Sequence, residues 1–203
     1  MRSFDLLNGC VVASLAHALA MSKYPDFSYE QSWDGYNYSF KQLFGLSGSF
    51  SFAKNRCCGA VRINGNYDKM KKQYVSSYPA EINWLINNEC LQYLLEQQEN
   101  GVTPLYSSTF WIDGEHVISF DDADGLTSVL SLFLGDHEAI FDTWVRYYSL
   151  NSREVIFLRR LTSQKMRAGF SDLFIKKAAV AKKQIFVNEQ MRISLEEMRI
   201  YII

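Results

Sequence analysis

The side chains in this 203-residue sequence with the chemistry to act on a substrate or a metal are three histidines, four cysteines and a run of central carboxylates. His116 has Asp113 and Glu115 beside it, and neighbouring carboxylates favour a protonatable imidazole suited to general-base work. A small hydrolase built on His116 would still need a nucleophile and oxyanion donors, and no adjacent residue supplies them. A structural histidine is the simpler reading. His17 falls inside an apolar segment and reads as a packing residue, while His137 stands at the start of a helix and reads as exposed. Cys10, Cys57, Cys58 and Cys90 match neither a metal-binding spacing nor a secreted disulfide framework. Reduced, partly buried thiols account for them. On a strand, Cys57 and Cys58 would point to opposite faces.

Asp121, Asp122 and Asp124 precede Gly125 in a pattern that superficially resembles a calcium loop. Setting Gly125 at the turn position puts Phe120 at the first ligand place and Ser131 where a bidentate glutamate is required, so the loop fails. Clustered carboxylates could also hold the magnesium of a nuclease, but turn and helix-capping duty explains these three with less. The sequence has no GxSxG elbow, HExxH helix, P-loop or GxGxxG fingerprint. Gly45-Leu46-Ser47-Gly48 is short and lacks the lysine of a phosphate cradle. The expectation is therefore a non-enzymatic protein with no catalytic residue, no cofactor and no metal.

Charge is arranged in blocks. Residues 1–74 carry nine Lys/Arg against five Asp/Glu, residues 75–150 one against twelve, and residues 151–203 eleven against five. The total of −1 conceals a strongly acidic middle whose single cation is Arg146. Carboxylates gathered on one face would attract a basic partner and speed its encounter. Some of these acids belong to first turns, where Glu81, Asp122, Asp136 and Glu138 complement helix dipoles. In the last quarter, Arg159-Arg160, Lys165, Arg167, Lys176-Lys177 and Lys182-Lys183 form a basic set that could hold phosphates. Paired lysines on helices are usually a solvated face, and the acidic middle would repel nucleic acid, so nucleic acid is not the expected partner.

The elements that position these groups follow from periodicity. Phe4, Leu7, Val11, Leu15 and Ala18 recur at helical intervals and predict an amphipathic N-terminal helix over 1–22 packed on the core. The competing reading, a cleaved signal ending near Ala18-Leu19-Ala20, is opposed by Asp5 and His17. The apolar run is too short and interrupted to predict a membrane span. A sheet-rich part with one long helix is expected over 28–120. Its strands are Tyr29–Trp33, Tyr36–Phe40, Ser49–Ala53 and Cys58–Ile63, and Asp34-Gly35 between the first two suits a type I′ turn. The helix runs from Pro79 through Gln97 to Asn100-Gly101. Leu105–Ile112 and His116–Phe120 then pair across Asp113-Gly114. Residues 121–203 read as mainly helical, with starts at Asp121, Asp136 and Ser152. The fold class is α+β, an antiparallel β-meander covered by helices with a helical C-terminal part. A chain of this length buries roughly 70% of its unfolded surface as one domain spanning 1–203.

Three segments carry a resemblance. Residues Tyr24-Pro25-Asp26-Phe27-Ser28-Tyr29-Glu30-Gln31-Ser32-Trp33-Asp34-Gly35-Tyr36-Asn37-Tyr38 resemble a signature of small bacterial proteins, and Glu89-Cys90-Leu91-Gln92-Tyr93-Leu94-Leu95 and Thr109-Phe110-Trp111 are similar to the same group. The likeness extends loosely over the first 160 residues. Such proteins resemble the immunity partners encoded beside polymorphic or contact-dependent growth-inhibition toxins. That implies a cytoplasmic protein that binds one toxin, such as a basic ribonuclease, and covers its active site. It transfers no catalytic residue. An acidic face with aromatic anchors would complement a basic toxin. The candidate contacts are Asp113, Glu115, Asp121, Asp122 and Asp124, with Trp111 or Trp33 as the anchor.

Overall fold

Alternation of aromatic and small residues with a period of two organises the sheet. In a computed structural model, which describes residues 2–53, 56–63, 77–98, 101–119, 123–176, 180 and 185–203, six strands form an antiparallel sheet. They are β1 (Gln31–Asp34), β2 (Asn37–Leu43), β3 (Leu46–Ser51), β4 (Cys57–Ile63), β7 (Ser108–Asp113) and β8 (His116–Ile118), in the order β1-β2-β3-β4-β7-β8. The α+β class and antiparallel meander expected from the sequence are thus present. The span read as one domain divides into two compact units, Met1–Leu6 with Asp34–Ser131 and Leu7–Trp33 with Leu132–Ile203.

In the first unit, one cross-strand row reads Tyr38, Phe50, Gly59, Phe110 in register. Because Gly59 has no side chain, the rings of Phe50 and Phe110 meet across it, edge to face with centroids 5.6 Å apart. Tyr38 and Phe40 join the same cluster, with Phe40 5.5 Å from Phe50. Such aromatic pairs each add about 0.5–1.5 kcal/mol beyond their buried area. On the opposite face the rows read Asn37, Ser51, Cys58, Trp111 and Ser39, Ser49, Ala60, Thr109. These are mostly small side chains, and they leave room for a helical cover. That cover comprises α2 (Ala80–Leu85), a wider π turn over Ile86–Cys90 and a 3-10 turn over Leu91–Leu94. Ile82, Leu85, Ile86, Cys90, Leu91 and Leu94 pack with Cys58, Ala60, Tyr78 and Tyr106.

The long helix expected through Gln97 therefore ends at Leu94. Leu95–Gln98 (β5) and Gly101–Pro104 (β6) form a separate two-stranded antiparallel ladder, in which Leu95 pairs with Pro104. Its helical spacing in the sequence is overridden by cross-strand pairing, the ordinary outcome where intrinsic propensity is weak. The turns also differ from expectation. Asp34 ends β1, so the central pair of its turn is Gly35-Tyr36. Gly35 has a φ of 60° and Tyr36 is not left-handed, the sign pattern of a type II′ turn. The type I′ pattern occurs instead at Phe44-Gly45, with φ of 51° and 74°. α3 (Ala123–Leu130) closes the described part of this unit.

The second unit is organised by α1 (Arg2–Ala20) from Leu7 onward. The expected amphipathic stripe is not what forms: every residue from Gly9 to Met21 is buried, while Phe4 is 55% exposed. A helix enclosed on all sides needs no polar face. Ser3–Ala20 is also long and apolar enough to cross a membrane by length and composition, with 72% of that window buried inside the structure. At Gly9 a Cβ would lie 1.8 Å from the Phe133 carbonyl oxygen, so only glycine admits this approach. α4 (His137–Tyr147) and α5 (Ser152–Ala168) follow, capped by Asp136 on Ala139 N and by an Asn151/Glu154 capping box. The mainly helical C-terminal part expected from sequence is corrected beyond Ala168. There β9 (Leu173–Ile175) and β10 (Ile200–Ile202) pair in parallel around α6 (Glu189–Glu197). Two apolar triplets are too short to show a period, and pairing between residues this far apart in the chain decides them.

Replacing Gly59 with Ala sets a Cβ 2.6 Å from atoms of both Phe50 and Phe110. We expect it to destabilise the fold by about 1–3 kcal/mol, the usual cost of overpacking a filled core. Urea denaturation measures this, and a stability unchanged from wild type would show that the aromatic row is not tightly packed.

Candidate functional site

The β7–β8 hairpin carries the first two expected contact residues. Asp113 ends β7 and pairs in register with His116, leaving Gly114-Glu115 as the two-residue turn. Gly114 has a φ of 58°, again a type II′ sign pattern. Asp113, Glu115 and His116 are all exposed at this tip, and none of their side chains enters a hydrogen bond or ion pair among the described residues. Trp111, two residues back on the Asp113 face of the strand, is half-buried. Its ring meets Tyr78 edge-on at 4.8 Å, and Tyr78 donates its hydroxyl hydrogen bond to the Thr109 carbonyl at 2.8 Å. The hairpin thus joins two exposed carboxylates to an aromatic side chain seated on the core.

The remaining expected contacts fare differently. Asp121 and Asp122 lie outside the described residues, as does the side chain of Asp124, whose backbone belongs to α3. Trp33 is not available as an anchor: it is buried, its indole Nε1 donates to Ser14 Oγ at 2.8 Å, and it belongs to the second unit.

The described carboxylates of the acidic middle divide between the two units, and arginines of the flanking segments take up several. Glu81 pairs with Arg56 at 3.5 Å, Glu96 with Arg62, and Glu138 with Arg159 at 2.7 Å. Glu89 accepts from Asn37 Nδ2 at 2.6 Å, and Asp136 caps α4. Asp113 and Glu115 remain as an exposed acidic pair of the first unit with no ion pair among the described residues.

The groups with perturbed acidity lie elsewhere, mostly inside. Burial depresses the His17 pKa from 6.5 to about 4, partly offset by its bond to the Phe27 carbonyl. That contact, 2.9 Å from Nε2, requires the neutral ring to donate from Nε2. The Glu30 carboxyl is raised by burial and held down by hydrogen bonds from Tyr148 and Tyr147, at 3.0 and 3.3 Å. Burial and the Glu30 charge in turn push Tyr147 up to about 12 and raise Tyr148. Gln31 Nε2 donates to the Tyr148 hydroxyl at 2.7 Å. These residues form one buried polar network in the second unit, which no short sequence motif marks. Lys165, expected on the basic solvated face, is buried. Its Nζ donates to the Ser171 carbonyl at 3.1 Å, and burial followed by the nearby Arg199 charge lowers its pKa to about 8. None of the four cysteines forms a disulfide and all are buried, with Cys58 and Cys90 sulfurs 3.9 Å apart. Burial raises the Cys57 and Cys90 thiols, which disfavours the reactive thiolate. Among the described residues no group of three His, Cys, Asp or Glu side chains could hold a metal ion.

Fold and geometry together define an α+β protein with an exposed acidic hairpin and an interior polar network. Compared with family models, curated proteins and solved structures, the chain matches none.

The buried His17 sets a pH dependence. Its folded pKa lies below its unfolded value, so the unfolded chain binds the extra proton between about pH 4 and 6.5. Stability from this group is complete above pH 6.5 and falls as pH drops towards 4, by on the order of 3 kcal/mol. Glu30, with a raised folded pKa, acts in the opposite sense, its destabilisation easing as pH falls. Denaturant titrations across this window should show a slope that His17→Gln flattens. An unchanged slope in that variant would mean that His17 remains protonatable in the fold.

Proposed function

We propose that this chain is a non-catalytic binding protein that neutralises a cationic partner, in the manner of a bacterial immunity protein covering its cognate toxin. The observation that carries the reading is the β7–β8 tip. There Asp113 and Glu115 are exposed and form no ion pair among the described residues, beside a Trp111 ring braced by Tyr78. Exposed carboxylates steer a basic protein during encounter, and a rigid aromatic side chain at the rim of the same hairpin supplies desolvated contact area. The type II′ turn fixes the separation of the two carboxylates before any partner arrives, which lowers the ordering cost of binding. A basic ribonuclease is the class of toxin that best complements such a tip. Binding across its phosphate-binding cleft would exclude substrate without chemistry. The cytoplasm is the compartment this role requires, and reduced, buried thiols are consistent with it.

The test is association with the product of the adjacent gene, measured for the wild-type chain and for the double variant Asp113→Lys/Glu115→Lys. The association rate should fall at least tenfold at low salt, with most of the difference lost above about 0.5 M salt as screening removes the steering. Trp111→Ala should mainly speed dissociation. Equal rates for the wild-type chain and the charge-reversed hairpin would remove the hairpin from the interface. A neighbour without affinity for the wild-type chain would count against the immunity reading itself.

A further inference from the structure

A groove of about 340 Å³ lies along α4 and α5 within the second unit. On α5, Arg159, Thr162, Ser163, Met166 and Arg167 follow the three-and-four spacing of a single helix face, and His137, Glu138 and Phe141 of α4 supply the other wall. Arg159 is fixed twice. Its guanidinium lies 4.1 Å over the Phe141 ring, and its Nη1 and Nη2 donate to the two Glu138 oxygens at 2.9 and 2.7 Å. That pairing neutralises the only carboxylate of the lining and leaves other guanidinium N–H groups available.

At the floor of the groove lies Thr162, 2% exposed, whose Oγ1 is buried with no hydrogen-bond partner among the described residues. A helical threonine ordinarily returns its hydroxyl proton to the carbonyl four residues back, and Thr143 does so to Ala139 at 2.8 Å. Thr162 does not. The side chains of Ser163, Arg167 and His137 likewise form no hydrogen bond or ion pair among the described residues. The unengaged side-chain groups of this groove are therefore donors or cations, apart from hydroxyls that can also accept, and their residues line one concavity together with Met166.

We propose that the α4–α5 groove binds a small organic oxyanion, a phosphate monoester or carboxylate. Its charged end is received by Thr162, Ser163 and Arg167, and its apolar body lies along Met166. A metal cation has no free carboxylate to meet there. The volume falls at the lower end of the range for small-ligand pockets, about 300–1,000 Å³, which fits a compact molecule rather than a peptide.

Calorimetric titration of the full chain with phenyl phosphate, benzoate and inorganic phosphate tests the site. The expected result is saturable one-to-one binding of phenyl phosphate or benzoate, tighter than inorganic phosphate. Thr162→Val, Ser163→Ala and Arg167→Gln should each weaken it about tenfold, as the loss of a hydrogen bond to a charged group requires. Thr162→Val should also leave the melting temperature unchanged or raised, because a buried hydroxyl without a partner is removed. A merely structural threonine would give that thermal gain with no change in affinity. Four outcomes overturn the proposal: no saturable binding of any probe at millimolar concentration, inorganic phosphate binding as tightly as the organic anions, affinity unaffected by Thr162→Val and Ser163→Ala, or weakening by Arg167→Gln alone, the mark of a surface cation. Ser163, exposed at the rim, keeps the test independent of any folding defect in the Thr162 variant.

Discussion

Thirteen successive residues, Gly9 to Met21, have no side turned to solvent, and the second unit is arranged to meet what that burial demands. The helical backbone satisfies its own amides, but two polar side chains lie inside the run. Ser14 returns its proton to the Cys10 carbonyl at 2.8 Å and accepts from the Trp33 indole, so its oxygen is used in both directions. His17 is kept neutral by enclosure and anchored to the Phe27 carbonyl. At the C-terminal end the Ala20 carbonyl accepts from the amides of Lys23 and Tyr24, and Asn188 Nδ2 reaches the Met21 carbonyl at 2.7 Å. The same Asn188 caps α6 through Met191 N, so one side chain completes two helix ends.

The first unit solves a different problem, that of a sheet with two unlike faces. Its aromatic face gains ring contacts because glycine stands opposite the rings, Gly48 across from Phe40 and Gly59 between Phe50 and Phe110. Its small-residue face lets α2 and the turns after it lie close enough for Cys90 to meet Cys58. Close approach has a cost there. Ser49 Oγ, Ser51 Oγ and Asn37 Oδ1 are buried without a hydrogen-bond partner among the described residues. Buried polar atoms in that condition are uncommon in native proteins. The three belong to adjacent positions of β2 and β3, near the Asn37–Glu89 bond.

Sequence reasoning recovered what depends on local pattern. The strands near 31–40 and 57–63, the Asp136 cap, the start of α5 and the β7–β8 hairpin all rest on period, turn residue or capping chemistry, and each formed. It failed where long-range packing overrides pattern. The stripe through Val11, Leu15 and Ala18 was correctly helical, yet nothing in it told that Val12, Ala13 and Ala16 on the other sides would be enclosed as well. Leu95–Gln98 kept a helical spacing and became a strand. Of the candidate contacts, Asp113 and Glu115 were legible because a glycine turn forces its flanks outward. Trp33 was not, since its burial depends on Ser14, nineteen residues away. The expectation of an acidic patch rests on composition alone. Composition carries no record of Arg56, Arg62 and Arg159 arriving from the flanking segments. The donors of the α4–α5 groove left no signature either, because Thr162 is informative only through the partner it lacks.

The order of segments along the chain has a consequence for synthesis on the ribosome. The second unit combines Leu7–Trp33 with Leu132–Ile203, and the whole of Asp34–Ser131 is made in between. The apolar segment around Val12 and Leu19 therefore leaves the exit tunnel long before Phe133 and Tyr148, which meet Gly9 and His17 of this helix, have been made. At translation rates of about 5–20 residues per second, that interval is roughly 5–20 s, ample for a holdase chaperone to engage or for nascent chains to associate. Until those late residues are made, the first helix carries apolar surface that its own unit cannot yet cover.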